Sequence, residues 1–100
     1  MSLNFGKFRR IGSIEAYNVF WTMLETMGFD NYLRVRQTDI ARSLGMKPQH
    51  VSRAVKYLVA KGVIFVDPAT GCYRVSPDIA WRGRSEDHHA ALNEYRQLQR

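Results

Sequence analysis

The sequence predicts a mainly α-helical fold with one small β-hairpin, and two observations support this prediction. Apolar residues recur at helical spacing in four segments, near residues 14–27, 37–44, 48–61 and 85–100. Two short apolar runs, 63–66 and 72–75, flank the turn residues 67–71, which is the pattern of a hairpin. The length of 100 residues indicates a single domain.

The first helix is predicted from about Ile14 to Met27, with Ser13 as its N-cap and Gly28 at its end. Its polar residues form one narrow stripe, so its apolar surface is wider than one core contact requires. A second covering is therefore expected, from a neighbouring helix or from another subunit. Residues 1–12 alternate in polarity and predict a short strand or an ordered arm.

A break at Gly45–Pro48 separates two helices. Glycine favours the left-handed C-terminal cap, and proline is accepted at the first helical position, where no amide hydrogen is needed. Residues 32–35 alternate like a short strand ahead of this pair. The order of helix, strand, helix, four-residue break, helix and hairpin predicts a winged helix-turn-helix over residues 1–84, with an N-terminal arm. The last helix, 85–100 with Ser85 as its cap, is then an extra element.

Positive charge is concentrated in the predicted helix-turn-helix. Residues 34–61 contain seven Lys and Arg and one acidic residue, Asp39, so this segment alone equals the net charge of +6. Such a local excess favours a polyanionic partner, here double-stranded DNA. The turn of the hairpin, 67–71, lacks Lys and Arg, so we expect the wing to be mainly structural.

The third helix carries the predicted base contacts on the side opposite its apolar stripe. In a winged helix-turn-helix this helix lies in the major groove, which is about 12 Å wide. Arginine can bond guanine there and glutamine can bond adenine. The residues expected to read bases are Gln49, His50, Ser52 and Arg53. The residues expected to contact phosphates are Arg36, Gln37, Thr38, Arg42, Lys47, Lys56 and Arg74.

A homodimer is expected because one recognition helix buries only roughly 600–1,000 Å² of protein surface on DNA. Useful specificity therefore usually requires two such modules. The candidate dimer contacts are Trp21 in the first helix and Leu92, Tyr95 and Leu98 in the last helix. Packing of the last helix on its own domain is an equal alternative.

Cysteine usage and hydropathy indicate a cytoplasmic protein. The single cysteine, Cys72, excludes an internal disulfide, and its place in an alternating strand predicts a core thiol. No segment approaches the roughly 18 consecutive apolar residues of a membrane span, and the N-terminus lacks the apolar core of a signal peptide. We therefore expect no membrane partner.

Motifs that would indicate catalysis are missing from the sequence. It contains no Walker-type glycine loop, no Cys-x-x-Cys and no His-Glu-x-x-His. His88 and His89 are adjacent, so they point about 100° apart on a helix and are expected to be solvated. We accordingly expect no enzyme activity, no cofactor, no metal site and no small-molecule substrate.

A resemblance to a known family rests on two stretches, TDIARSLGMKPQHVSRAVKYLVAKGVIFV (residues 38–66) and GCYRVSPDIAWRG (residues 71–83). They resemble the RepL-type plasmid replication proteins, in which a winged helix precedes a Tyr-x-(Ile/Val)-(Asn/Ser)-Pro-(Asn/Asp)-(Ile/Leu)-x-(Trp/Phe)-(Lys/Arg)-Gly segment. The resemblance spans residues 14–84, and the winged-helix part is more weakly similar to MarR-like regulators. It implies a role in plasmid replication.

Two functions are therefore expected from the sequence. The first is sequence-specific binding of double-stranded DNA, as a plasmid or phage replication factor, a copy-control factor or a transcriptional regulator. The alternative is a protein-interaction adaptor in a replication or segregation complex, which keeps the fold without reading bases.

Overall fold

A computed structural model describes residues 1–99 of the chain. The helices are a 3₁₀ helix at Phe5–Arg10, α1 (Ile14–Thr26), a 3₁₀ turn at Phe29–Asn31, α2 (Gln37–Leu44), α3 (Pro48–Ala60) and α4 (Ser85–Leu98). The strands are β1 (Ser2–Leu3), β2 (Ile64–Val66), β3 (Tyr73–Val75) and β4 (Ala80–Trp81). Helices α1, α2 and α3 pack on one another, and the β2–β3 hairpin follows them. This arrangement confirms the mainly α, winged helix-turn-helix fold.

Helix α1 forms the centre of the core. The Ser13 hydroxyl caps it by accepting a hydrogen bond from the Ala16 amide at 3.2 Å. Its broad apolar surface is covered on the second side by Phe8 from the N-terminal 3₁₀ helix, whose ring centroid lies 5.6 Å from those of Phe20 and Trp21. The second covering predicted from the sequence therefore comes, at this position, from the chain's own N-terminal segment.

The turn between α2 and α3 follows the local sequence closely. Gly45 adopts the left-handed conformation at φ 65°, which ends α2, and Pro48 occupies the first turn of α3. Lys47 stands at the N-cap without a side-chain cap bond. The inward stripe of α3 is completely buried, and its members are Val51, Ala54, Val55 and Leu58.

The hairpin pairs β2 with β3 in antiparallel register, with Ile64 opposite Val75 and Val66 opposite Tyr73. The strand predicted at 32–35 does not form, because only one isolated bridge joins Tyr32 to the hairpin. The prediction that Cys72 is a core thiol is also wrong. Cys72 precedes β3 at the outer end of the hairpin and is exposed.

A second sheet of two strands pairs β1 with β4, with Ser2 opposite Trp81 and Leu3 opposite Ala80. The wholly buried Asn31 joins this region to the hairpin, because its Nδ2 donates to the carbonyls of Val75 at 2.9 Å and Ala80 at 2.7 Å. Its Oδ1 accepts from the Arg82 amide at 2.8 Å. Much of the segment shared with the RepL proteins is thus held in place by one buried amide.

The glycine at the end of that segment has a packing reason. A Cβ added at Gly83 would lie 2.8 Å from a ring carbon of Trp81 and 3.0 Å from Oδ1 of Asp30. A side chain at this position would therefore displace the Trp81 ring. That ring also donates from Nε1 to the Arg84 carbonyl at 3.0 Å.

Helix α4 packs on its own domain. Tyr95 is buried, its ring lies 5.2 Å from that of Phe65, and its hydroxyl donates to the Gly62 carbonyl at 2.7 Å. The predicted Ser85 cap is wrong by one residue, because the N-cap is Arg84. His88 is not solvated as predicted, since it stacks on Trp81 at 5.1 Å between ring centroids. Among residues 1–99, no helix combines the length and apolar character needed to span a membrane.

Candidate nucleic-acid interface

The outward side of α3 brings together the side chains that were predicted to read bases. We call Gln49, His50, Ser52, Arg53 and Lys56 the recognition surface. Gln49, Arg53 and Lys56 are exposed, whereas His50 and Ser52 are half-buried. The recognition surface faces outward because the buried residues of α3, which recur every three or four positions, lie on the opposite side of the helix. Helix α3 contains no acidic residue, so the recognition surface is polar and carries only positive charge of its own.

Helix α2 adds predicted phosphate contacts at its N-terminal end. Arg36 is the N-cap, and Gln37 and Thr38 form the first turn, where backbone amides and the helix dipole favour an anion. Arg36 and Thr38 are exposed and Gln37 is half-buried. Arg42 is exposed and lies 3.6 Å from the Asp39 carboxylate, an exposed i,i+3 pair worth about 0–1 kcal/mol. Such a pair leaves the guanidinium available to a stronger anion.

Lys47 lies in the turn between the two helices and is exposed, as is Lys56. In the chain, Lys47 precedes the recognition surface and Lys56 is the last residue of that surface. Phosphates border the major groove on both sides, so this placement suits backbone contacts.

One contact of the recognition surface was not predicted from the sequence. The Arg53 Nη2 donates to Oε1 of Glu15 at 3.1 Å, and the two side chains are 68% and 36% exposed. Glu15 stands in the first turn of α1, where a negative charge also interacts favourably with the helix dipole. The two residues are 38 positions apart in the sequence, so sequence patterns do not reveal the contact. It forms because α1 packs against α3.

Arg74 is a correction to the predicted phosphate contacts. Its side chain is only 9% exposed, and its Nη1 lies 3.7 Å from both Asp67 Oδ2 and Glu94 Oε1. Its Nε donates to the Asp30 carbonyl at 3.0 Å, and its guanidinium lies over the Tyr32 ring at 4.7 Å. Arg74 is therefore a structural cation inside the fold, and burial removes it from the set of groups that can contact phosphate.

The carboxylate beside Arg74 has a second partner. The Tyr32 hydroxyl donates to Asp67 Oδ2 at 2.6 Å, and the Ala69 amide donates to Oδ1 at 2.9 Å. These hydrogen bonds, chiefly that from Tyr32, lower the pKa of Asp67 below its ordinary value. The same bond, together with burial, raises the pKa of Tyr32. This network holds the base of the wing in place, and it satisfies the carboxylate of Asp67, which is buried although it belongs to the turn segment.

The four predicted dimer contacts differ in exposure in the structure. Trp21 is half-buried and packs edge-on against Phe8 and Tyr17, whereas Tyr95 is buried within its own domain and offers no free apolar face. Leu92 is half-buried. Leu98 is exposed and borders a shallow groove of about 300 Å³ with the exposed Val59 and Val66.

Within residues 1–99, no three His, Cys, Asp or Glu side chains are grouped so that they could hold a metal ion.

The chain is a winged helix-turn-helix protein, as defined by its hairpin, the sharp turn before α3 and the cationic outward side of α3. Comparison with protein families matches residues 8–100 to RepL, described as Firmicute plasmid replication protein, and the chain belongs to that family. It is thus a plasmid replication-related protein, and the family implies an interaction with DNA. Comparisons with curated proteins and with solved structures gave no significant match. The weaker similarity to MarR-like regulators receives no support.

Proposed function

We propose that this chain is a sequence-specific double-stranded DNA-binding protein that acts as a replication or copy-control factor or as a transcriptional regulator. The observation that carries the proposal is the acid-free, outward side of α3, where Gln49, Arg53 and Lys56 are exposed together. A polyanion fits this surface, and the width of the major groove, about 12 Å, admits one α-helix.

The side chains take different roles in this proposal. Arg53 can bond guanine O6 and N7 with two parallel hydrogen bonds, and Gln49 can bond adenine N6 and N7. His50 and Ser52 are half-buried, so they offer single polar atoms to the groove. Arg36, Arg42, Lys47 and Lys56 contact phosphates, with Gln37 and Thr38 contributing from the first turn of α2. The chain binds DNA in this proposal and performs no catalytic step of its own.

A homodimer is part of the proposal. A single module buries roughly 600–1,000 Å², which is small for a specific site, so two copies on half-sites one DNA turn apart would supply the missing contacts. The exposed apolar residues Val59, Val66 and Leu98 favour a second copy at the α4 end of the hairpin. The molar mass in solution, measured by light scattering, distinguishes a dimer from a monomer.

The test uses duplexes selected by the protein from a randomised library, with shuffled duplexes of equal composition for comparison. Four cationic phosphate contacts per protomer predict that log K falls against log salt with a slope of about −4 for one protomer and of about −7 for a dimer on two half-sites. Arg53→Ala should reduce discrimination between selected and shuffled duplexes, by about 1–3 kcal/mol for one bidentate base contact. Lys47→Ala should weaken binding to both by the same factor.

The adaptor alternative predicts a different result. An adaptor that reads no bases would select no sequence, and neither substitution would change DNA binding. Binding to DNA that is independent of both Arg53 and Lys47 would refute the placement of α3 in the groove.

A further inference from the structure

We propose that Glu15 is a positioning residue for sequence recognition, which holds the Arg53 guanidinium in the orientation that reads a base. This inference rests on the proposed function and adds a residue of α1 to the recognition machinery. Its starting point is the 3.1 Å contact between Glu15 Oε1 and Arg53 Nη2.

The geometry leaves Arg53 able to bind DNA while Glu15 holds it. A guanidinium has five N–H donors in a rigid plane, and this hydrogen bond involves the Nη2 group. The Arg53 side chain is 68% exposed, and the bond to Glu15 is the one hydrogen bond that its guanidinium makes within residues 1–99, so its other donors are available to DNA. The guanidinium can therefore bind the Glu15 carboxylate at one edge of its plane and a guanine at another edge at the same time.

The benefit of such a contact is preorganisation. Arginine is among the side chains with the most rotamer freedom, and that freedom is lost when it binds a base edge. A group that restricts Arg53 before DNA arrives reduces this loss, and it raises affinity only for the sequence that the held orientation fits. Glu15 is itself restrained, because it lies in the first turn of a capped helix packed against α3.

The charge of Glu15 gives the second half of the inference. A carboxylate beside the recognition surface repels the phosphates of any duplex, whatever its sequence. Glu15 should therefore favour the correct site through Arg53, while its repulsion lowers the affinity for every duplex alike. Only the positioning effect changes discrimination, and on the correct site the two effects oppose each other.

The experiment is Glu15→Gln, measured with the selected duplex and with its shuffled counterpart. We expect tighter binding to the shuffled duplex, no equal gain on the selected duplex, and a fall of about two- to fivefold in the ratio of the two affinities, as for the loss of one exposed ion pair. Circular dichroism and thermal denaturation of each variant establish that it is folded.

Glu25→Gln is the matched control. Glu25 is exposed on the same helix about 15 Å along its axis from Glu15, so this variant changes the net charge equally without touching Arg53. It should leave the ratio of affinities unchanged. Glu15→Gln in an Arg53→Ala background should also leave the ratio unchanged, because the group that Glu15 positions is gone.

The outcomes separate this inference from the function on which it rests. If the protein selects no sequence, the proposed function fails. If Arg53→Ala reduces discrimination and Glu15→Gln does not, the function stands and the positioning role is refuted. Equal tightening on both duplexes would make the contact a lock that DNA must break, which also refutes the positioning role.

Discussion

Arg53 and Arg74 each lie beside a carboxylate, yet the surroundings give the two arginines opposite roles. Arg53 is 68% exposed and bonded to one half-exposed glutamate, whereas Arg74 is 9% exposed and lies between Asp67 and Glu94. The sequence predicted both as DNA contacts, Arg53 to a base and Arg74 to a phosphate. The comparison shows that a basic residue becomes a candidate DNA contact only when its helix directs it outward and nothing covers it.

The largest expected effect that tests this comparison is on stability. Arg74→Ala removes the partner of a buried carboxylate, so the free energy of unfolding should fall by about 3 kcal/mol. Urea denaturation measures it. Arg53→Ala, the matched exposed arginine, should lose no more than about 1 kcal/mol. A loss below about 1 kcal/mol for Arg74→Ala would show that its burial does not matter to the fold.

An intermediate effect is expected from pH. The pKa of Asp67 is lowered in the folded state, so its contribution to stability is present above the unfolded value of about 3.9 and is lost as the pH falls through the folded value. Tyr32→Phe removes the main cause, so it should reduce stability by about 1 kcal/mol at pH 7 and flatten the acid side of the stability profile. An unchanged acid profile, measured by denaturation between about pH 2 and pH 7, would contradict this assignment.

The smallest effect on stability is expected at Arg42, which is exposed and only loosely paired with Asp39. Arg42→Ala should change the free energy of unfolding by less than about 0.5 kcal/mol. The same variant should reduce the salt slope of DNA binding by about 1 for each bound protomer, because each protomer loses one phosphate contact. An unaltered slope in a salt titration would remove Arg42 from the interface.

The parts of the fold that depend on local sequence were predictable. Gly45, Pro48 and the inward stripe of α3 act through neighbouring residues, and they placed both helices and their break. The outward residues of α3 follow from the same periodicity, so the recognition surface was predicted together with the helix. Its role in reading bases stays a prediction.

The parts that depend on distant contacts were not predictable from one sequence. The β1–β4 pairing joins residues almost 80 positions apart, and the Glu15–Arg53 contact joins two helices. Residues 72–75 alternate as a strand should, but alternation does not say which face is covered. Tyr32 and α4 cover Arg74, while Cys72 lies beyond them at the exposed end.

The division of α3 into a buried stripe and an outward side has an evolutionary consequence. Val51, Val55 and Leu58 bear the packing, so replacements at Gln49 or Lys56 cost the scaffold little. Under the proposed function, related proteins could therefore diverge in the DNA sequence that each one reads while retaining one inherited framework.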